Sequence, residues 1–257
     1  MSIHPTAIIS PEATIGKNVE IGPFCVIEAN VTLGDGCKLH SHVVIHGYST
    51  IGADNEFFPF SAIGIKSQDL KYAGEPTALF IGDGNVFREN VTIHRGTKEE
   101  TPTRIGNDNL FLAYSHVAHD CTLGNNIILS NNGTLAGHCV VEDHVIISGL
   151  SGCHQFCRIG QHSIVGGITK IVQDVPPFTI ADGNPAAVRG INKIGLERRG
   201  FSKEQVSALR SAYKKLFLKK EANLTEAIAN LPYDLAVQPE VATLLDFIAK
   251  AERGITR

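Results

Sequence analysis

Between Ile3 and Ile171 every sixth residue is apolar except at Asp69, Glu75 and Glu99. The series runs Ile9, Ile15, Ile21, Ile27, Leu33 to Ile63, resumes at Ile81, Phe87 and Ile93, and continues from Ile105 through Phe111, Val117, Leu123, Leu129 and Leu135. Two residues before the large position there is often a smaller one, as at Ala7, Ala13, Val19, Cys25, Val31, Cys37, Cys121, Cys139 and Cys157. Side chains alternate along a strand, so positions two apart point the same way and each hexad supplies a short strand with one large and one small residue inward. A hexapeptide repeat of this kind specifies a parallel β-helix. Three hexads make one triangular coil, and successive coils stack about 4.8 Å apart. Glycine often follows the large residue (Gly16, Gly22, Gly34, Gly52, Gly64, Gly82, Gly106, Gly124, Gly160, Gly166), which suits a bend where positive φ costs glycine little. The three exceptions fall in two places and read as two loops inserted in multiples of six.

The period stops at Ile191. Ser202-x-x-Gln205 reads as a capping box opening an amphipathic helix with Val206, Leu209, Tyr213, Leu216 and Phe217 on one face. Asn223-x-x-Glu226 opens a second helix, and Pro239 starts a third that carries Val241, Leu244, Leu245 and Ile248 and stops at Gly254. The expected fold is therefore mainly β: a parallel β-helix over residues 1–190, followed by a small α-helical domain over 191–257.

Five of the six cysteines occupy the small inward slot and Cys153 a large one, and no C-x-x-C pair exists, so they read as free thiols filling the core. Residues 1–30 lack a basic segment followed by an apolar run, and no apolar stretch is long enough to span a bilayer. A soluble, cytoplasmic protein with no membrane insertion and no nucleic-acid partner is expected. The net charge is −3, yet Arg189 to Lys220 holds ten Lys or Arg against two Glu. This segment is either a solvated helix face or a surface for acidic partners and phosphates.

Stacking residues 18 apart turns the sequence into columns. His119 lies beneath Gly137, which lies beneath Gln155, and Asp120 lies beneath His138. With a six-residue insertion at Thr97 to Thr103, His94 joins the column of Ala118, Ala136 and His154. None of these histidines sits in an inward slot, so buried core positions are not expected for them. Four histidines beside one aspartate leave three readings: a zinc site of the β-helix carbonic anhydrase type, a polar surface, or a catalytic base. A base needs one imidazole, a partner to orient it and donors for an oxyanion, which His119, Asp120 and the Gly137 N–H can supply without a metal or cofactor.

The segments Gln68-Asp-Leu-Lys-Tyr-Ala-Gly-Glu-Pro-Thr77, Val91-Thr-Ile-His-Arg-Gly-Thr97, His116-Val-Ala-His-Asp-Cys121, His154-Gln-Phe-Cys157, Gln173-Asp-Val-Pro-Pro177 and Arg198-Arg-Gly-Phe-Ser202 resemble the UDP-N-acetylglucosamine O-acyltransferases of lipid A synthesis. The likeness spans nearly the whole chain. It implies a left-handed β-helix and a homotrimer with active sites between subunits, transferring an (R)-3-hydroxyacyl group from acyl carrier protein to the sugar 3-OH. It also implies His119 as general base, Asp120 as its partner and Gly137 as oxyanion donor. Sugar contacts then fall to Gln68, Asp69, Lys71, His116 and His138, with His94 and His154 lining the site. Nucleotide contacts fall to Gln155, Asn192, Arg198 and Arg199, and Gly167 leaves the acyl groove open at its end. Pro185 and Ile194 stand where family members can carry polar side chains near the nucleotide. Other hexapeptide-repeat acyltransferases, which carry an extra N-terminal domain or helices ahead of the repeats, fit less well.

Overall fold

The computed structural model describes residues 2–218 and 223–257. Each hexad forms a strand of two to four residues, and the strands stack into three sheets of 11, 9 and 8 strands, the faces of a triangular prism. The first sheet starts at Ser2–Ile3, the second at Ile8–Ile9 and the third at Thr14–Ile15. All strand pairs are parallel except the last, where Thr179–Asp182 and Ala187–Ile191 form an antiparallel hairpin that the hexads do not announce. Coils are joined by backbone hydrogen bonds such as Thr14 N–H to Val31 C=O at 2.8 Å and Val26 N–H to Val43 C=O at 2.9 Å.

The inward residues make a dry core. Phe57, Phe87 and Phe111 are fully buried and stack face to face with ring centroids 4.8 Å apart. The small slot beside them holds a buried amide ladder: Asn85 Nδ2 and Asn109 Nδ2 donate to Asn55 Oδ1 and Asn85 Oδ1, both at 2.9 Å, and Asn109 Oδ1 accepts Ile127 N–H at 2.7 Å. Each amide thus finds its partners on neighbouring coils, which removes the cost of burying it. All six cysteines are buried and free, as the slots required.

The insertions keep register. Ile63 pairs with Ile93 and Ile93 with Val117, offsets of 30 and 24 where the plain coil gives 18, so the two loops add 12 and six residues. Both leave the prism at the corner between the second and third sheets.

Glycine's role at the corners differs from the expectation. Of the glycines that follow a large residue, only Gly64 has positive φ; the left-handed conformation is taken three residues after the large position, at Asn18, Phe24, Asn30, His42, Asp54 and their successors. The glycines are instead forced by close approach. A Cβ on Gly34 would lie 2.4 Å from the Gly52 carbonyl, and one on Gly16 would lie 2.6 Å from Asp35 Oδ1. That carboxylate curls beneath Gly16 to accept Lys17 N–H at 2.7 Å, and Asp83 does the same for Ala53 N–H at 2.7 Å.

After the hairpin, α1 (Lys193–Arg198) is capped by Asn192, and α2 (Lys203–Tyr213) opens with the full Ser202–Gln205 capping box and runs into a π-helical turn at Lys214–Leu218. Lys219 and Lys220, the end of the basic segment, lie outside the described residues. Asn223 caps α3 (Leu224–Ala229), α4 spans Tyr233–Ala236, and Pro239 begins α5 (Pro239–Ala249). The last helix ends with Lys250 as its C-cap, four residues before the expected stop at Gly254. Gly254 belongs to a returning tail: its carbonyl accepts Asp174 N–H and Thr256 N–H donates to the Asp174 carbonyl, both at 2.9 Å. The tail adds a bridge at Ile255 beside Asp174, next to the Ile159–Val175 bridge of the third sheet. The helices bury their own cluster around Leu196, Leu209, Leu216, Val241 and Leu244, separate from the prism core.

Replacing Gly34 by Ala should cost about 1–3 kcal/mol by overpacking, whereas Gly152→Ala, with no atom within 4 Å of the new Cβ, should change stability little. Denaturant midpoints of the two variants test this reading, and equal midpoints would contradict it.

Candidate active site

The corner between the second and third sheets carries the histidine cluster. Here the backbone of Asp120 is left-handed (φ 60°), and its carboxylate folds back on the preceding ring, placing Oδ2 2.6 Å from His119 Nδ1. The carboxylate is 1% exposed and held from several sides. Thr97 N–H donates to Oδ1 at 2.8 Å and the Thr101 hydroxyl donates to it at 2.6 Å, while Asp120 N–H donates to Thr103 Oγ1 at 2.9 Å. Burial pushes the Asp120 pKa up, but hydrogen bonds from Thr101, Thr97 and His119 outweigh it and hold the carboxyl below the usual carboxylate range. A carboxylate only accepts, so Nδ1 carries the imidazole proton and Nε2 keeps a free lone pair.

One coil on, Gly137 lies against the same ring. A Cβ there would sit 2.3 Å from His119 Cε1 and 2.7 Å from Nε2, so any larger residue would displace the imidazole. The Gly137 N–H has no acceptor among the described residues. His138 sets Nε2 3.4 Å from Asp120 Oδ2, crosses the His119 ring edge to face at 5.3 Å, and stacks on Phe156 at 4.5 Å.

Beneath them, His94 and His116 pack edge to face at 4.8 Å, and His116 Nδ1 is 2.7 Å from Thr92 Oγ1. His94 is 2% exposed, against the expectation for these histidines, and its Nδ1 has no partner. It packs against the His116 ring and pairs with Ile65 of the neighbouring strand, although its column points outward. Burial, then the neighbouring His116, His119 and His46, lower its pKa to about 4, so it is neutral at pH 7. Burial and His119 lower the pKa of His116 as well.

The first inserted loop brings Asp69 to this corner, with Gln68 and Lys71 exposed on either side of it. It is fixed by Arg95, which donates to Tyr72 Oη at 2.9 Å, and by Ser67, whose hydroxyl lies 2.7 Å from Thr97 Oγ1. Asp69, His119 and His138 are the one group among the described residues able to hold a metal ion, with ligand atoms within 4.8 Å of one another.

His154 and Gln155 follow on the same corner and are exposed. The other expected nucleotide residues lie elsewhere. Asn192, Arg198 and Arg199 line a cavity of about 730 Å³ with Ile146, Ile164 and Ile180, which face outward from the first sheet, opposite the histidine corner. Asn192 is buried and its amide is engaged, accepting Gly195 N–H at 3.1 Å and donating to the His162 carbonyl at 2.8 Å. Gly167 sits at the corner between the first and second sheets, where a Cβ would meet only the Gly149 carbonyl at 3.5 Å.

Residues 174–256 match the family described as UDP N-acetylglucosamine O-acyltransferase, domain 2, and residues 12–47 match bacterial transferase hexapeptide repeats. A protein of Akkermansia muciniphila named acyl-[acyl-carrier-protein]–UDP-N-acetylglucosamine O-acyltransferase is 58% identical over 253 residues, 98% of each chain. The chain belongs to the UDP-N-acetylglucosamine O-acyltransferase family. A namesake from Thermodesulfovibrio yellowstonii is 50% identical over 99% of both chains. The solved structure of LpxA from Acinetobacter baumannii, 46% identical, superposes over the whole of both chains with a TM-score of 0.96. Within this family the fold is the scaffold expected from the hexads.

Thr97, Thr101, Thr103 and Arg95 were not singled out as site residues from the sequence. Arg95 and Thr97 close the Val91–Thr97 segment, and Thr101 and Thr103 lie in and just after the insertion that follows it, where a chain leaving the prism beside His119 had to return past Asp120.

The His94 value gives a pH test. An unfolded histidine titrates near 6.5 and the folded one near 4, so below pH 6.5 the unfolded chain binds more protons and stability falls. The loss is about 1.4 kcal/mol per pH unit and levels off near pH 4. His94→Gln should flatten this limb of the unfolding free energy measured against pH; an unchanged slope would show that His94 does not report there.

Proposed function

We propose that this protein transfers an (R)-3-hydroxyacyl group from acyl carrier protein to the 3-OH of UDP-N-acetylglucosamine, the first step of lipid A biosynthesis, in the cytoplasm. The carrying observation is the His119–Asp120 pair with its free Nε2 set against the unengaged N–H of Gly137, in a chain of this family. Nε2 takes the proton of the sugar hydroxyl as its oxygen attacks the thioester carbonyl. Asp120 stabilises the imidazolium, and the Gly137 N–H donates to the tetrahedral oxyanion. Collapse breaks the C–S bond, and the imidazolium returns its proton to the leaving thiolate. No cofactor enters these steps. Neutral His94 and His116 line the floor without adding charge, and Gln68, Asp69, Lys71, His138 and His154 surround the sugar.

A homotrimer is part of this reading. The nucleotide residues Asn192, Arg198 and Arg199 stand opposite the base on the same chain, so one substrate meets both sets only where two chains adjoin. The corner between the first and second sheets supports the assembly. It holds Phe24, Phe60, Leu150 and Ile168 with left-handed backbone and 55%, 59%, 63% and 72% exposed. Apolar side chains in a conformation that costs about 1–2 kcal/mol per residue suit a surface covered by a neighbour. The basic face with Lys203, Arg210, Lys214 and Lys215 suits the acidic acyl carrier protein.

Replacing His119 by Ala should lower turnover by about 10²- to 10⁴-fold without loss of fold, and a chelator should leave the wild-type rate unchanged. Near-normal turnover in the variant would remove His119 from the mechanism, whereas chelator sensitivity reversed by zinc would move Asp69, His119 and His138 to a metal role.

Gly167 bears on chain length. With glycine the groove stays open, and each buried methylene contributes about 0.8 kcal/mol, so a hydroxyacyl chain of about fourteen carbons is favoured over one of about ten. Gly167→Met has room for its Cβ and should shift the ratio of kcat/KM toward the shorter donor. An unchanged ratio would place the ruler elsewhere.

A further inference from the structure

Two buried hydroxyls join the sugar loop to the catalytic imidazole. Ser67 and Thr97 are 6% and 5% exposed, and their hydroxyl oxygens lie 2.7 Å apart. Ser67 Oγ accepts Asp69 N–H at 3.1 Å, and Thr97 Oγ1 lies 3.0 Å from His119 Nδ1. A continuous path therefore runs from the backbone of Asp69, through Ser67 and Thr97, to the nitrogen that fixes the tautomer of His119.

We propose that Thr97 and Ser67 are positioning residues that couple the seating of the loop 66–78 to the base-competent tautomer of His119. The inference rests on His119 acting as the base. Nδ1 must carry its proton, because Asp120 Oδ2 at 2.6 Å only accepts. Thr97 Oγ1 beside that N–H is then confined to accepting, so the single proton of Thr97 points elsewhere. With the loop seated, Ser67 Oγ at 2.7 Å offers that proton an acceptor besides the Asp120 carboxylate, and it also accepts Asp69 N–H at 3.1 Å. When the loop lifts, Ser67 goes with it and the Thr97 proton turns back on the dyad. There it competes with Nδ1–H for Asp120 or occupies Nδ1 itself, and either outcome weakens the hold on the tautomer that leaves Nε2 free. The base is thus fully set only when the residues that contact the sugar are in place.

Thr97→Val removes the hydroxyl and keeps the backbone N–H that serves Asp120. The test compares Thr97→Val, Ser67→Ala, the double variant and Thr97→Ser for kcat and for KM toward UDP-N-acetylglucosamine at saturating acyl carrier substrate. Thr97→Val should lower kcat by about 10- to 100-fold, the loss expected for a hydrogen bond to a group that becomes charged. Thr97→Ser should restore most of it. Ser67→Ala should lower kcat as well as raise KM, and the double variant should be no slower than Thr97→Val alone. The ring-nitrogen resonances of His119 should show one tautomer in the wild type and a mixture in Thr97→Val. Fully multiplicative losses in the double variant, or a Thr97→Val enzyme with normal kcat and a single tautomer, would overturn the coupling while leaving the base in place. If Thr97→Val fails to fold, Ser67→Ala decides: a change in KM alone counts against the proposal. An active His119→Ala enzyme would instead remove the base reading, and this inference with it.

Discussion

Everything in the molecule depends on the backbone hydrogen bonds that run from each coil to the next. They fix a register of 18 residues, so a residue never stands alone but in a column with its neighbours above and below. A one-residue slip would turn every inward side chain out. Register allows Phe57, Phe87 and Phe111 to stack, the buried asparagines to satisfy one another, and carboxylates to curl under glycines. It also brings His119, Gly137, Asp120 and His138 together without any long-range packing to steer them.

The prism was legible because its determinant is local and repeated. One apolar residue every six specifies strand, direction and stacking partner at once, and insertions show as breaks in the count. The reason for the glycines was less legible. A glycine at a corner can serve backbone conformation or close approach, and only the position of the neighbouring coil decides between them. Sequence alone favoured the first; Gly34 and Gly16 answer with the second. The hairpin after residue 178 and the short helices α1 and α4 escaped for another reason, since each is shaped by contacts with distant parts and has no period of its own.

At the site, the columns placed His119 against Gly137 and Asp120 by His138 because those residues sit on the regular coil. What the columns missed comes from the loops. Thr101 reaches Asp120, Thr97 reaches His119, Ser67 reaches Thr97 and Arg95 reaches Tyr72, along insertions whose path no period describes. The burial of His94 was missed too: its slot faces outward, and the ring is covered where it packs against His116. The prism thus supplies the His119–Asp120 pair, and the second insertion supplies the Thr97 N–H and Thr101 hydroxyl that hold its carboxylate.

The returning tail has a separate consequence. A stack of parallel coils is by nature extendable, because its last rung offers unpaired donors and acceptors to any further strand. Where the third sheet would end, Asp174 is met on its outer side by Gly254 and Thr256 of the same chain. The outer edge of the third sheet is thereby occupied by residues 254–256 of the same chain, which leaves no free rung there for a further strand. Without residues 254–256 the backbone groups of Asp174 would stand unpaired, an open strand edge of the kind that pairs with other chains.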